Sequence, residues 1–176
     1  MRYPAKETAA KHERIVAEAS RLFRERGFEN VTVAEVMKAA GLTHGAFYAH
    51  FGSKEELERA AIAYGQELSA GRARTSGPSK KGRRAYIDRY LSARHRDNPG
   101  NGCSMAALGP EVARSTPEIR MAFERGLEEI LAAYGGDRKE AIFHTAAALG
   151  GVVLARAVED PELSDEILEI LRQKVG

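Results

Sequence analysis

Apolar residues along this chain recur at intervals of three and four and almost never alternate, which is the period of helices packed on one side. Ile15, Ala19, Leu22 and Phe23 form the first such stripe. Gly27 followed by Phe28 supplies the left-handed stop and the hydrophobic contact that close a helix near Arg26. Thr32-Val33-Ala34-Glu35 has the spacing of a capping box, so a second helix opens there, buries Val33, Val36 and Ala40, and ends at Gly41. A third, very short helix starts from Thr43, whose hydroxyl is placed to cap it. Ser53-Lys54-Glu55-Glu56 repeats the capping signal and opens a long helix through Leu57, Ala60, Ala61, Tyr64 and Leu68, carried by the pattern to Gly71.

Residues 71–82 hold Gly, Ser, Pro and Lys with no apolar period, which predicts a linker or mobile loop. Tyr86, Ile87, Tyr90 and Leu91 restore a helical face that breaks at 97–102. The stretch from Cys103 to Arg114 reads as a helix with a kink at Gly109-Pro110, because proline removes a ladder bond. Thr116-Pro117 and Asp160-Pro161 each set a capping residue before a proline at the first helical position. Ile119, Phe123, Leu127, Ile130 and Leu131 follow the first of these, and Asp137 opens a further helix to about Val158. That helix carries Ala146, Ala147, Ala148, Gly150 and Gly151, small residues that admit a close neighbour; the last helix shows Leu163, Ile167, Ile170, Leu171 and Val175. The expected fold is all-α with about nine helices. Its last two, about 138–158 and 162–175, leave more apolar face than one thin core needs, so a homodimer through them is expected.

Composition narrows the function. The 176 residues are 43% hydrophobic, enough for one sizeable core or two small ones sharing a long helix, and β-branched residues are too scattered for a sheet. Cys103, the single cysteine, excludes an internal disulfide, and the N-terminus lacks a basic-then-apolar leader, so a cytoplasmic location is expected. The apolar run from Ala146 to Ala155 is too short and Gly-rich to span a bilayer, so no membrane is expected as a partner. Charge is unevenly spread: residues 72–96 hold nine basic residues and one acidic, whereas residues 97–176 hold eight basic and fourteen acidic. The basic run reads first as a solvated face. The acidic C-terminal part repels a polyanion that the front of the chain tolerates.

Residues 41–51, Gly-Leu-Thr-His-Gly-Ala-Phe-Tyr-Ala-His-Phe, make a helix too short to be justified by packing area, with Thr43, His44, Gly45, Tyr48 and His50 outward. Two helices joined by a Gly turn, the second short and polar on its outer face, form a helix-turn-helix. The series Ile15, Ala19, Leu22-Phe23, Gly27-Phe28, Thr32-Val33, Val36, Ala40-Gly41-Leu42-Thr43, Gly45, Phe47-Tyr48, His50-Phe51, Lys54 and Leu57, with its spacing, resembles the DNA-binding domain of TetR-family transcriptional regulators. The likeness covers roughly residues 11–60. It departs mildly at Ala49, a stub where relatives often place a larger contact residue, and at Met37-Lys38, where smaller residues are usual.

The resemblance implies a three-helix DNA-binding domain at 1–52 and a helical effector-binding and dimerisation domain at 53–176. It implies a palindromic double-stranded operator, a homodimer, and release of DNA when a small-molecule effector enters the body. At the matching positions Thr32, Thr43, Tyr48, His50 and Lys54 would meet phosphates, Gly45 would let the backbone approach the groove, and His44, Thr43 and Ala46 would read bases.

In the body, Tyr86, Tyr90, Met105, Phe123, Phe143 and His144 are candidates to line an effector pocket between helices. Cys103 joins them, since a thiol at a helix start near Arg94, His95 and Arg96 gains thiolate character, the property of an oxidant or electrophile sensor. A different class, a small thiol enzyme with Cys103 as nucleophile and His95 or His144 as base, is the alternative; a helical interaction module is a third. No acid pair, metal-ligand cluster or Gly-rich phosphate loop accompanies them, so no catalytic residue, metal or cofactor is expected.

Overall fold

The computed structural model describes residues 5–77 and 79–175; residues 1–4, Pro78 and Gly176, which fall inside the expected domain and linker ranges, lie outside it. Among the described residues there are nine α-helices, two short 3₁₀ helices and no strand. The front of the chain is α1 (Ala5–Arg26), α2 (Val33–Ala39) and a 3₁₀ helix (His44–Ala49). Helix α3 (Lys54–Ser76) leads into a body of α4 (Lys80–Tyr90), α5 (Ala93–Arg96), α6 (Ser104–Val112), α7 (Pro117–Tyr134), α8 (Arg138–Ala157) and α9 (Pro161–Val175).

The local signals act as written. Gly27 and Gly41 take φ of +80° and +68°, conformations that other residues enter only with strain, and they stop α1 and close the turn after α2. Ser53 caps α3 by accepting from the Glu56 N–H at 3.1 Å, while the Glu56 carboxylate accepts from the Gly52 N–H at 2.8 Å. Asp137 caps α8 through the Lys139 N–H. Helix α6 runs through Pro110 to Val112.

The expected linker at 71–82 is corrected. Helix α3 continues past Gly71 to Ser76, and α4 starts at Lys80. Polar residues hold that last turn: Thr75 Oγ1 donates to the Gly71 carbonyl at 2.8 Å, Ser76 Oγ to that of Arg72 at 3.1 Å, and Arg74 pairs with Glu67 and Glu129. Gly82 is needed for space, because a Cβ there would run into the Ser76 carbonyl oxygen.

Two apolar clusters lie along α3. The first gathers Phe23, Val36, Phe47, Phe51 and Leu57 with Leu108, Val112 and Ile119 from α6 and α7, so body helices seal the front core. The second packs Ile87, Leu91, Met105, Ile130, Val152 and Leu168. Half-buried Phe123 touches both. Helices α3 and α7 make the most extensive contact in the fold, and Gly126 permits it, since a Cβ there would strike Gln66. No helix among the described residues is long and apolar enough to cross a membrane.

Candidate nucleic-acid interface and effector pocket

The short helix is held from behind and open in front. Phe47 and Phe51 are buried and stack with centroids 5.7 Å apart, and the His12 ring of α1 stacks on Phe51 at 4.6 Å. Tyr48, the next residue, is 70% exposed and meets the His44 ring edge-on at 6.3 Å. Thr43, His44 and Gly45 are exposed, and His50 is half-buried with its ring 5.9 Å from His12. Burial and then the charges of His12 and Lys11 hold the His50 imidazole below its usual range, so at neutral pH it is an uncharged hydrogen-bonding group.

Gly45 is informative because the fold does not require it. Its φ is not positive, and a Cβ would meet nothing within 4 Å. A glycine with neither reason leaves the outer face flat for something outside the chain. The Thr43 hydroxyl, expected to cap, makes no capping bond; the Ala46 N–H it would take bonds the Thr43 carbonyl at 3.1 Å instead, the short-range pairing of a 3₁₀ turn. That hydroxyl is left facing solvent.

Thr32 and Lys54 are differently placed. The Thr32 hydroxyl accepts from the Glu35 N–H at 3.2 Å and donates to the Glu35 carboxylate at 2.8 Å, which also takes the Thr32 N–H. Those bonds, with Arg26 at 2.9 Å, pull the Glu35 carboxyl down to about 2, so the start of α2 carries a fixed negative charge. Lys54 Nζ donates to the Phe28 carbonyl at 2.6 Å and stands 3.7 Å from Glu58. Both residues are engaged in holding the front together.

Two links tie this front to the body. Arg24, almost fully buried on α1, donates to the Gly100 carbonyl through Nε at 3.0 Å and Nη2 at 2.6 Å, and to the hydroxyls of Ser20 and Ser104. Burial, with repulsion from Arg72, lowers its guanidinium to about 10. At the other end of α6 the Glu111 carboxylate accepts the Phe28 N–H at 2.7 Å. Sequence reading missed both; a buried arginine one turn before a helix stop is indistinguishable by spacing from an exposed one.

The body holds a small apolar cavity of about 50 Å³. Of the expected lining, Tyr86, Tyr90, Cys103, Met105 and His144 are there, joined by Ile87, Ile130 and Leu149. Phe123 instead bridges the two cores, and Phe143 is 62% exposed on the outside of α8. His144 Nδ1 lies 2.9 Å from the Tyr134 hydroxyl and 3.0 Å from the Val175 carbonyl, with Nε2 3.2 Å from Glu140.

The thiol-enzyme alternative lacks its base at His95. That imidazole uses Nε2 to accept the Cys103 backbone N–H at 3.1 Å and Nδ1 to donate to the Tyr90 carbonyl at 2.7 Å, leaving nothing for the thiol. Burial first, then repulsion from Arg156 and Arg72, lowers it to about 4 despite the Tyr90 bond. Among the described residues no cluster of His, Cys, Asp and Glu is arranged to hold a metal.

A helix-turn-helix front whose outer face is polar and unpartnered, set on a helical body with an internal cavity, defines the class: an all-helical DNA-binding regulator fold. Comparison with known proteins shows what the chain is similar to. The family model of bacterial regulatory proteins, tetR family, matches residues 15–61. The HTH-type transcriptional repressor NemR of Escherichia coli K12 is 29% identical over 125 residues, 68% of this chain and 63% of NemR, so the match spans less than two thirds of that relative. The fold matches the crystal structure of reduced E. coli NemR with a TM-score of 0.77 at 23% identity, covering 94% of this chain and 95% of that one. It also matches a TetR transcriptional regulator from Chloroflexus aurantiacus with a TM-score of 0.77 at 23% identity, covering 97% and 96%. Residues 15–61 are thus similar to the tetR-family model, and the fold as a whole is similar to the structures of TetR-family regulators.

Proposed function

We propose that this chain is a sequence-specific DNA-binding transcriptional repressor that works as a twofold dimer and leaves its operator when a small molecule enters the body. The observation that carries the reading is the Thr43–His50 face: Phe47 and Phe51 fix it from behind, and Thr43, His44, Gly45 and Tyr48 stand outward with no structural task of their own. In this reading Tyr48, Thr43 and His50 meet phosphates, the bare backbone at Gly45 lets the segment lie close, and His44 and Thr43 reach base edges. Thr32 and Lys54 act one step back, by holding α2 and α3 in position. Few base-reading side chains mean that groove shape contributes to specificity. NemR's designation as a repressor supports the direction of regulation.

The second subunit docks on α8 and α9. Ile142, Phe143, Val153 and Leu154 of α8 are exposed along one face, with Leu163 and Ile170 beside them on α9, and a Cβ at Gly150 would meet nothing. An apolar stripe of this kind on two adjacent helices fits a self-complementary twofold contact. The route from ligand to DNA is α6, which has Cys103 and Met105 at the cavity end and Glu111 bonded to the front at the other. Helix α6 shifting on ligand entry moves Phe28 and, through Gly100, Arg24.

Selection of DNA from a random pool by the purified full chain tests this proposal. An inverted repeat, with half-sites one helical turn or a multiple apart, is the expected product. Recovery of unrelated sequences with no shared half-site contradicts it.

A further inference from the structure

Next to the apolar cavity lies a second, wider pocket of about 320 Å³, lined by Arg72, Arg89, Arg94 and His95 with no carboxylate in its wall. The two share Tyr86, Tyr90 and Cys103, so they are neighbouring chambers of one site. Among the described residues none of its three arginines pairs with a carboxylate. Arg72 has only the Asn101 carbonyl at 3.1 Å, and Arg89 only a 3.5 Å contact with Ser76 besides lying 5.4 Å over the Tyr86 ring. Arg94 has no bond among the described residues. At the wall between the chambers the Tyr90 hydroxyl, in a side chain only 9% exposed, has no hydrogen-bond partner of normal geometry and stands beside the Cys103 thiol.

A buried, unpartnered hydroxyl costs free energy unless something takes its bond, and arginines gathered without a counter-ion repel one another. One ligand relieves both. We propose that this two-chamber site takes a small organic anion, a monocarboxylate with a slim aliphatic tail, its carboxylate held by Arg72 and Arg89 and by the Tyr90 hydroxyl, the tip of its tail in the apolar chamber. A planar guanidinium suits a carboxylate better than any neutral group. Tail shape follows from size: a cavity that holds benzene is roughly 150 Å³, and this one is about 50 Å³, so it takes only the tip of a slim alkyl chain whose first carbons lie in the wider chamber. Burial is the main cause of the lowering of Arg24 and His95, and the smaller part that the Arg72 charge adds to each agrees with a positive field there.

The inference deepens the effector reading above and rests on it for its regulatory meaning, but not for the binding itself. Calorimetric titration of the full chain without DNA, using hexanoate and its neutral match hexanamide, tests it. Hexanoate is expected to bind at least about tenfold more tightly, the order of one charge-assisted hydrogen bond over a neutral one. Arg72→Gln with Arg89→Gln is expected to abolish that preference, and Tyr90→Phe to weaken hexanoate. Arg72→Lys, which keeps the charge and loses the fork, is expected to fall between. Arg72 and Arg89 are exposed, and unchanged thermal midpoints show that the variants fold. Equal binding of the two probes, no binding of either, or a preference that survives the double substitution overturns the proposal. Operator affinity with and without hexanoate is read separately, so failure of DNA binding falls on the regulator reading and failure of the calorimetry on this one.

Discussion

At the scale of single residues, exposure and partner count separate contact from support. Tyr48 is 70% exposed and has no structural duty beyond a ring edge, so Tyr48→Ala should leave the unfolding midpoint unchanged and weaken operator binding at least about tenfold, the worth of a hydrogen bond to a charged group. Retardation assays beside thermal melts check this. Lys54→Ala should lower both, because Lys54 Nζ holds the Phe28 carbonyl. His95 makes stability depend on pH. Its folded value of about 4 lies below the ordinary 6.5, so an unfolded chain takes up a proton that the folded one refuses between those values. Stability is therefore full above about 6.5 and falls as pH drops towards 4, by at most about 3 kcal/mol at 1.36 kcal/mol per unit. Urea unfolding at pH 7 and pH 5 should show the loss, and His95→Gln should flatten it; a slope unchanged by that substitution would place the proton elsewhere. The outward placement of Thr43, His44, Gly45 and Tyr48 was legible from sequence, because the helix bearing them is too short to be justified by packing area. The occupation of Thr32 and Lys54 was not, since a capping hydroxyl and a phosphate-binding hydroxyl have the same neighbours in sequence.

At the scale of elements, close helix approach is where substitution acts. A Cβ at Gly65 of α3 would collide with Ser104, Arg24 and Ser20 together, so Gly65→Ala should destabilise by about 1–3 kcal/mol, the usual range for overpacking. It should also disturb effector release, because Arg24 and Ser104 join α1 to the start of α6. Gln66 faces α7 with both amide atoms buried and unpaired; Gln66→Met should stabilise the chain, measured as a raised urea midpoint. Helix ends were well marked in the sequence wherever a capping residue or a Gly with positive φ stood, as at Gly27, Thr32, Gly41 and Ser53. The 71–82 stretch misled for a physical reason. Its helix is held by hydroxyls bonding back to carbonyls and by arginine–glutamate pairs, and neither leaves an apolar period. The basic run at 72–96, read as a solvated face, contributes three arginines to a pocket because α3, α4 and α5 fold towards one another, which spacing within one helix cannot reveal.

At the scale of the whole molecule, two cores lie along one shared helix, and the proposed effector signal would pass between them. Leu108, Val112 and Ile119 complete the front core from the body side, so the front does not stand apart from the helices that line the cavity. Phe143→Glu on α8 should give a monomer by sedimentation and reduce operator affinity by far more than its distance from DNA suggests, since one head alone keeps only half of a palindrome's contacts. A variant that stays dimeric would move the interface elsewhere. The most direct measurement is the affinity of the full chain for a selected inverted repeat and for a scrambled duplex, across a salt series and without effector. The account predicts a preference of at least about a thousandfold for the repeat, falling with salt and lost in Tyr48→Ala with His44→Ala; equal affinity for both duplexes at moderate salt would contradict it.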